Sequence, residues 1–258
     1  MKYEDKTEGH FAEETMAVVM VIQARMSSSR LPGKVLKCVI GRPLLAYQLE
    51  RLQRVKNVDK IIIATTRNRP DDPIVDFCKK HDLDCYRGDE EDVLSRYYEV
   101  AKFHSAQAIV RITADCPLID PDVVEEVVAY YLSEHPKYDY VSNILNRSYP
   151  RGMDTEIFSV EALEKAFHEA SSKFEREHVT PYMYQEKDRF CVADVLAVEN
   201  NSHYRWTVDT QADFQFVREI IETLYPSCKT FSMNDVLELL KKRPELSEIN
   251  AHVPQKEI

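Results

Sequence analysis

Between residues 18 and 132 the chain alternates short, unbroken apolar runs with amphipathic stretches of helical period, a pattern that few folds accept. The apolar runs at 18–24 and 61–64 read as strands covered on both sides in a parallel sheet, and 108–112 reads as a third long strand. Residues 73–80, 92–104 and 120–132 carry helical spacing, with Val123, Val124, Val127 and Val128 marking the last of these. Pro43 opens a further helical pattern through Leu45, Leu49 and Leu52, since a first turn tolerates proline. A short strand is read at 84–86. Strand and helix in alternation, joined by short connections, predict an α/β fold with a mostly parallel sheet between two helical layers.

Beyond residue 138 the rhythm changes. Strands at 138–143, 156–158 and 189–198 enclose helices at 160–170 and 175–185. This reads as a small β-rich arm, about 138–200, inserted into a single domain spanning 16–258. A short strand at 204–208 and helices at 212–224 and 234–243 follow, with Ser232 placed to cap the last helix. Residues 1–15 are polar and acidic and read as a flexible leader.

The formal net charge of -10, with no long basic run, argues against nucleic acid as a partner but leaves room for a local cationic pocket. The cysteines Cys38, Cys78, Cys85, Cys116, Cys191 and Cys228 are scattered, without a CxxC pair or zinc spacing, which suits reduced thiols in a cytoplasmic protein. No stretch approaches the roughly 18 apolar residues of a membrane helix, so no membrane partner is expected.

In open parallel sheets ligands bind beyond the carboxyl ends of the strands. The loop leaving the first strand reads Gln23-Ala-Arg-Met-Ser-Ser-Ser-Arg-Leu-Pro-Gly-Lys34. Arg25, Arg30 and Lys34 supply guanidinium forks and an ammonium. Ser28 and Ser29 supply hydroxyls, Ala24 and its neighbours backbone N–H groups, and Gly33 a close backbone approach. A triphosphate needs these groups, although a merely solvated basic loop would look similar. The loop is neither a P-loop nor a GxGxxG turn.

Phosphoryl-type transfer also needs a divalent metal, expected here as Mg²⁺, held by hard carboxylate oxygens. Asp115 follows the strand at 108–112, and Asp209 follows the one at 204–208. Each can equally be a loop cap, Asp209 for the helix after it; Asp213 reads as structural and Cys116 as a packing residue.

Residues 25–34 resemble the A-R-x-x-S-[ST]-R-L-P-x-K signature of the CMP-sugar-acid synthetases, which include CMP-KDO synthetase and acylneuraminate cytidylyltransferase. Over about residues 18–240 the chain looks most like the SpsF-type spore coat polysaccharide biosynthesis branch of that family. Gln23 departs from the family's usual proline, and Gln211 and Ala212 replace a usual Pro-Glu. The resemblance implies a three-layer αβα, Rossmann-like fold of the nucleotide-diphospho-sugar transferase type, with the basic loop on the triphosphate. It also implies Asp115 and Asp209 as metal ligands, matching the aspartates of G-D-x-P and V-D-T-P-E-D. The expected reaction is attack of an acceptor oxygen on the α-phosphorus of CTP, with pyrophosphate leaving.

Two polar concentrations, at 150–156 and 175–181, match SpsF-type motifs. They nominate Asp154, Glu156, Arg176 and His178, with Arg111, for the sugar-type acceptor; an ordinary salt-bridged face is the competing reading. Thr65, Thr66 and Arg87 are nominated for the nucleotide. The expected product is a CMP-activated sugar acid or related glycan precursor. Alternatives are a guanylyl- or uridylyltransferase using a sugar phosphate, or a glycosyltransferase consuming a nucleotide-sugar. A homodimer is implied, with residues 140–156 and 189–198 at its interface.

Overall fold

The computed structural model describes residues 16–186 and 188–254; the expected leader, 1–15, therefore lies outside the described residues. β1 (Val18–Gln23) is an interior strand of the sheet. It pairs in parallel with β4 (Lys60–Thr66) on one side and β6 (Ala108–Thr113) on the other, and β5 (Asp84–Gly88) extends the β4 side. Beyond β6 come β8 (Glu156–Ser159), antiparallel to it, then β7 (Tyr140–Ser142) and β9 (Val192–Asp194), giving the order β5-β4-β1-β6-β8-β7-β9. A separate hairpin, β2 (Cys38–Val39) with β3 (Arg42–Pro43), follows the first loop. The three strands expected in the arm thus continue the main sheet instead of building one of their own. β8 is buried on both faces, which only a place inside the sheet provides.

The helices are α1 (Leu44–Leu52), α2 (Asp72–Lys80), α3 (Val93–Phe103), α4 (Pro121–Ser133), α5 (Val160–Glu169), α6 (Lys173–His178), α7 (Pro181–Gln185), α8 (Gln211–Leu224), α9 (Met233–Lys242) and α10 (Glu245–Glu248). Alternate residues of β1 feed two cores: Met20 and Ile22 pack with α1 and α4, while Val19 and Val21 pack with α3 and α5. A third core gathers α8 and α9 around the fully buried Trp206. The single helix expected over 175–185 is broken: Val179 takes φ +73° and Pro181 opens a new turn. The strand expected at 204–208 reduces to one bridge, Arg151 to Arg205, beside which Gly152 lies close against Trp206. Ser232 caps α9 as expected, accepting from the Asp235 N–H.

Candidate active site

β1 and β6 end at one level, and β4 runs two residues further. The Ala24 N–H donates to Ala64 O at 2.9 Å and the Ala114 N–H to Gln23 O at 3.0 Å, so the loops leaving β4, β1 and β6 start side by side. The loop after β1 folds back on itself, the N–H groups of Ser28 and Gly33 both donating to Met26 O at 2.9 Å. Leu31 pins it to the core. Gly33 sits at φ +68°, open to glycine at little cost, and leads into one 3₁₀ turn, Lys34–Leu36. That turn buries Lys34, whose side chain is 11% exposed.

Lys34 Nζ lies 2.9 Å from Asp115 Oδ2 and 2.8 Å from Asp209 Oδ1. The Thr113 hydroxyl donates to the other oxygen of Asp115 at 2.7 Å. The other oxygen of Asp209 receives Arg30 at 3.0 Å and Arg205 at 2.8 Å. The two aspartate loops are also tied through the backbone, the Val208 N–H donating to Asp115 O at 2.8 Å. Asp209 does not cap α8. Thr210 does, in a capping box with Asp213, and this leaves the Asp209 carboxylate to the cavity. Asp213 is fully buried and structural as expected, holding Arg205 at 2.9 Å and Asn250 at 3.0 Å.

Burial disfavours charge on Lys34, but the attraction of Asp115 and Asp209 outweighs it and the ammonium is held above its ordinary range. Burial likewise opposes charge on Asp209, yet Lys34, Arg205 and Arg30 hold its carboxyl below the usual carboxylate range. Cys116 moves the other way: burial, Asp115 and Asp154 push its thiol well up, which disfavours the reactive thiolate, and it packs in the core as expected.

Arg25, Arg30, Lys34, Ser28, Ser29 and Ala24 line a cavity of about 310 Å³ together with Asp115, Asp209 and His178. A second cavity, about 230 Å³, shares Gln23, Thr113, Asp115, His178 and Asp209 with the first and adds Arg111, Asp154 and Glu156. The residues nominated for phosphate, metal and most of the acceptor therefore converge, and Gly33 shapes their loop from behind.

Other nominated residues are placed elsewhere. Arg176 turns away from both cavities: its Nε donates to Asp92 Oδ1 at 3.0 Å, and it also reaches the Phe167 carbonyl at 2.6 Å, joining α6 to the cap of α3. Thr65 and Thr66 are fully buried, and Thr66 donates to Asp71. Arg87 spends its guanidinium on the Thr66 and Asn68 carbonyls, each at 2.8 Å, and on Asp72. Glu156 lines the second cavity, but its oxygens are engaged by Arg111, Tyr140 and Thr180. Sequence reasoning missed Thr113, Arg147, Arg205 and Arg96. Arg147 grips Asp154 through both nitrogens at 2.6 and 2.8 Å, and Arg96 lines a small cavity beside Arg25. Only Arg205 carried a signal, its spacing of four from Asp209 and eight from Asp213.

A cationic turn facing two carboxylates across the carboxyl end of a parallel sheet is the arrangement of α/β proteins that handle nucleoside triphosphates. Residues 19–252 match the family model described as Cytidylyltransferase, and the chain belongs to that family. It is 37% identical to an uncharacterized protein of Methanocaldococcus jannaschii over 93% of this chain and 97% of that one. It is 29% identical to the spore coat polysaccharide biosynthesis protein SpsF of Bacillus subtilis, over 88% and 95%. A solved cytidylyltransferase of Leptospira borgpetersenii superposes with a TM-score of 0.87 at 33% identity, covering 94% of this chain and 99% of that one.

Proposed function

We propose that the protein transfers CMP from CTP to a sugar acid or closely related glycan precursor, releasing pyrophosphate, in surface or spore-coat polysaccharide synthesis. The observation that carries this reading is the pair of adjoining cavities. One is lined by the cationic turn, the other by polar acceptor-type residues, and Asp115 and Asp209 belong to both. A triphosphate in the first cavity would place its α-phosphorus near the aspartate pair, and an acceptor in the second would meet it there.

The donor set fits Mg²⁺. Asp115 and Asp209 are hard oxygen donors facing one point, where the Lys34 ammonium marks a place that demands positive charge. Among the described residues no third histidine, cysteine or carboxylate joins them, so the ion's remaining ligands would have to come from phosphate and water. When bound, the ion would neutralise charge on the phosphate oxygens. The chain's own part is to position and to stabilise. Lys34 exchanges its carboxylates for phosphate, Arg25 and Arg30 bind the leaving pyrophosphate, and the loop's serines and N–H groups orient it. Transfer is direct, with no protein nucleophile.

Among the described residues no helix is long and apolar enough to cross a membrane. The proposal places the protein in the cytoplasm, where CTP is made, as a homodimer. Supporting the dimer, β9 is an edge strand, and Leu196 and Val198 just beyond it are exposed. The function is tested by incubating the chain with Mg²⁺ and each of CTP, GTP, UTP and ATP, with sugar acids and sugar phosphates, and measuring pyrophosphate. CTP alone should support release; release from GTP or UTP with a sugar phosphate would reject the reading.

A further inference from the structure

Resting on the reading above, we infer that Arg151 binds the negative charge of the acceptor and so selects an acidic sugar over a neutral one. Arg151 lies on the wall of the second cavity, whose other lining arginines are both committed. Arg111 is bonded to the buried Glu156, and Arg147 is bonded through both nitrogens to Asp154. Asp115 and Asp209 are balanced by Lys34, Arg30 and Arg205. The guanidinium of Arg151 has no hydrogen-bond or ion-pair partner among the described residues. It is the cation left over once every carboxylate of the cavity has been matched.

The backbone beneath it is fixed. The Arg151 N–H donates to Tyr204 O at 3.0 Å, and the Trp206 N–H donates to Arg151 O at 2.7 Å. Gly152, at φ +106°, lies so close to Trp206 that a Cβ would stand 2.9 Å from that residue's carbonyl carbon. A cation whose backbone is bonded on both sides and whose head is unmatched is preorganised for an anionic ligand. Burial and the nearby charge of Arg147 lower its proton affinity, with Asp154 offsetting only part of this, so an incoming anion would be favoured there. Arg151 also borders a cavity behind the sheet end, lined by His203, Tyr204 and Trp206. That cavity contains neither Asp115 nor Asp209, so the acceptor meets Arg151 from the catalytic side.

This placement separates two acceptor chemistries. In a sugar phosphate the phosphate oxygen is itself the nucleophile, and its charge lies at the α-phosphorus. In a sugar acid a hydroxyl attacks and the carboxylate stands apart, needing a cation of its own beside the aspartate pair.

The test uses the full chain with CTP and Mg²⁺. Pyrophosphate release is measured with 3-deoxy-manno-octulosonate, N-acetylneuraminate and glucuronate, with the methyl ester of each, and with glucose 1-phosphate. Thermal protection by CTP is read separately for the native chain and for Arg151→Gln and Arg151→Lys. The expected result is release with at least one acid and little with its ester. Arg151→Gln should raise the acceptor KM about 10- to 100-fold, as loss of a charged hydrogen bond does, with the KM for CTP unchanged and partial rescue by Arg151→Lys. Equal turnover of acid and ester, an acceptor KM untouched by Arg151→Gln, or release with glucose 1-phosphate alone or with no acceptor would overturn the assignment while CTP protection kept the nucleotide reading standing. Absence of CTP protection would overturn both.

Discussion

Lys34 and Asp209, 175 residues apart in sequence, meet at 2.8 Å, and the same ammonium lies 2.9 Å from Asp115. On the proposed reading, a divalent ion would take the position this lysine occupies between the two carboxylates. The two cations would then compete for the aspartates until a triphosphate drew the lysine away. Mn²⁺ titrated into the protein and followed by electron paramagnetic resonance should therefore bind weakly alone and more tightly with CTP. Lys34→Met should bind Mn²⁺ without nucleotide about tenfold more tightly, a change of ~1.4 kcal/mol, and lose most of the CTP-dependent gain. Equal Mn²⁺ affinity in both proteins without nucleotide would show that the ammonium does not guard the site.

Asp115→Asn keeps the shape of the side chain and its bond from Thr113 but removes the charge that would hold the proposed Mg²⁺. Cytidylyl transfer should fall by roughly 10²- to 10³-fold, the usual cost of one electrostatic element of an active site, while Tm changes by only a few degrees. Steady-state pyrophosphate release and a thermal melt on the same sample check both halves. Activity within threefold of native would remove Asp115 from the machinery.

The pH response of the Lys34–Asp209 pair follows from the direction of each shift. Asp209 titrates below its ordinary value of 3.8, so its contribution to stability is present above that value and is lost as the pH falls below it. Lys34 titrates above 10.5, so its contribution is present below that value and is lost only at higher pH. Between these limits the pair should be indifferent to pH. A comparison of Tm for native and Asp209→Asn protein should give a constant difference from about pH 5 to pH 9 that shrinks in stronger acid. A difference that varies through neutrality would mean another group governs the pair.

The sheet was legible because strands such as β1, buried on both faces, leave a continuous apolar run, and the cationic loop because it directly follows such a run. What was not legible is which wall a side chain faces. Arg176 and His178 lie two residues apart in one motif, yet on α6 they point to different neighbours, Asp92 for one and the cavity for the other. Thr65 and Thr66 stand at a strand's carboxyl end, as Asp115 nearly does, but β4 ends beneath other chain and buries them. Arg147 escaped notice because its partnership with Asp154 spans a turn with no periodicity to read.

Arg176 should therefore matter for folding and not for turnover. Arg176→Ala removes the link between α6 and the α3 cap and leaves the Asp92 carboxylate without its cation. The expected cost is about 1–3 kcal/mol in denaturant unfolding, as for a hydrogen bond to a charged group, with the KM values for CTP and acceptor unchanged. A large rise in acceptor KM at native stability would return Arg176 to the acceptor site.

Gly152→Ala probes the same region from the backbone. At φ +106° any side chain is strained, and a Cβ would press on the backbone of Trp206, which cannot swing aside as a flexible side chain would. Either the turn at 150–152 shifts or the Trp206 segment does, and both carry Arg151 with them, because its N–H and carbonyl are bonded to Tyr204 and Trp206. The stability cost should be about 1–3 kcal/mol, the usual range for a residue forced into that backbone region. The acceptor KM should rise along with it. CTP binding should change little, because the cationic turn at 25–34 belongs to a separate loop. Equal losses in acceptor and nucleotide affinity would instead show that the two cavities deform as one unit.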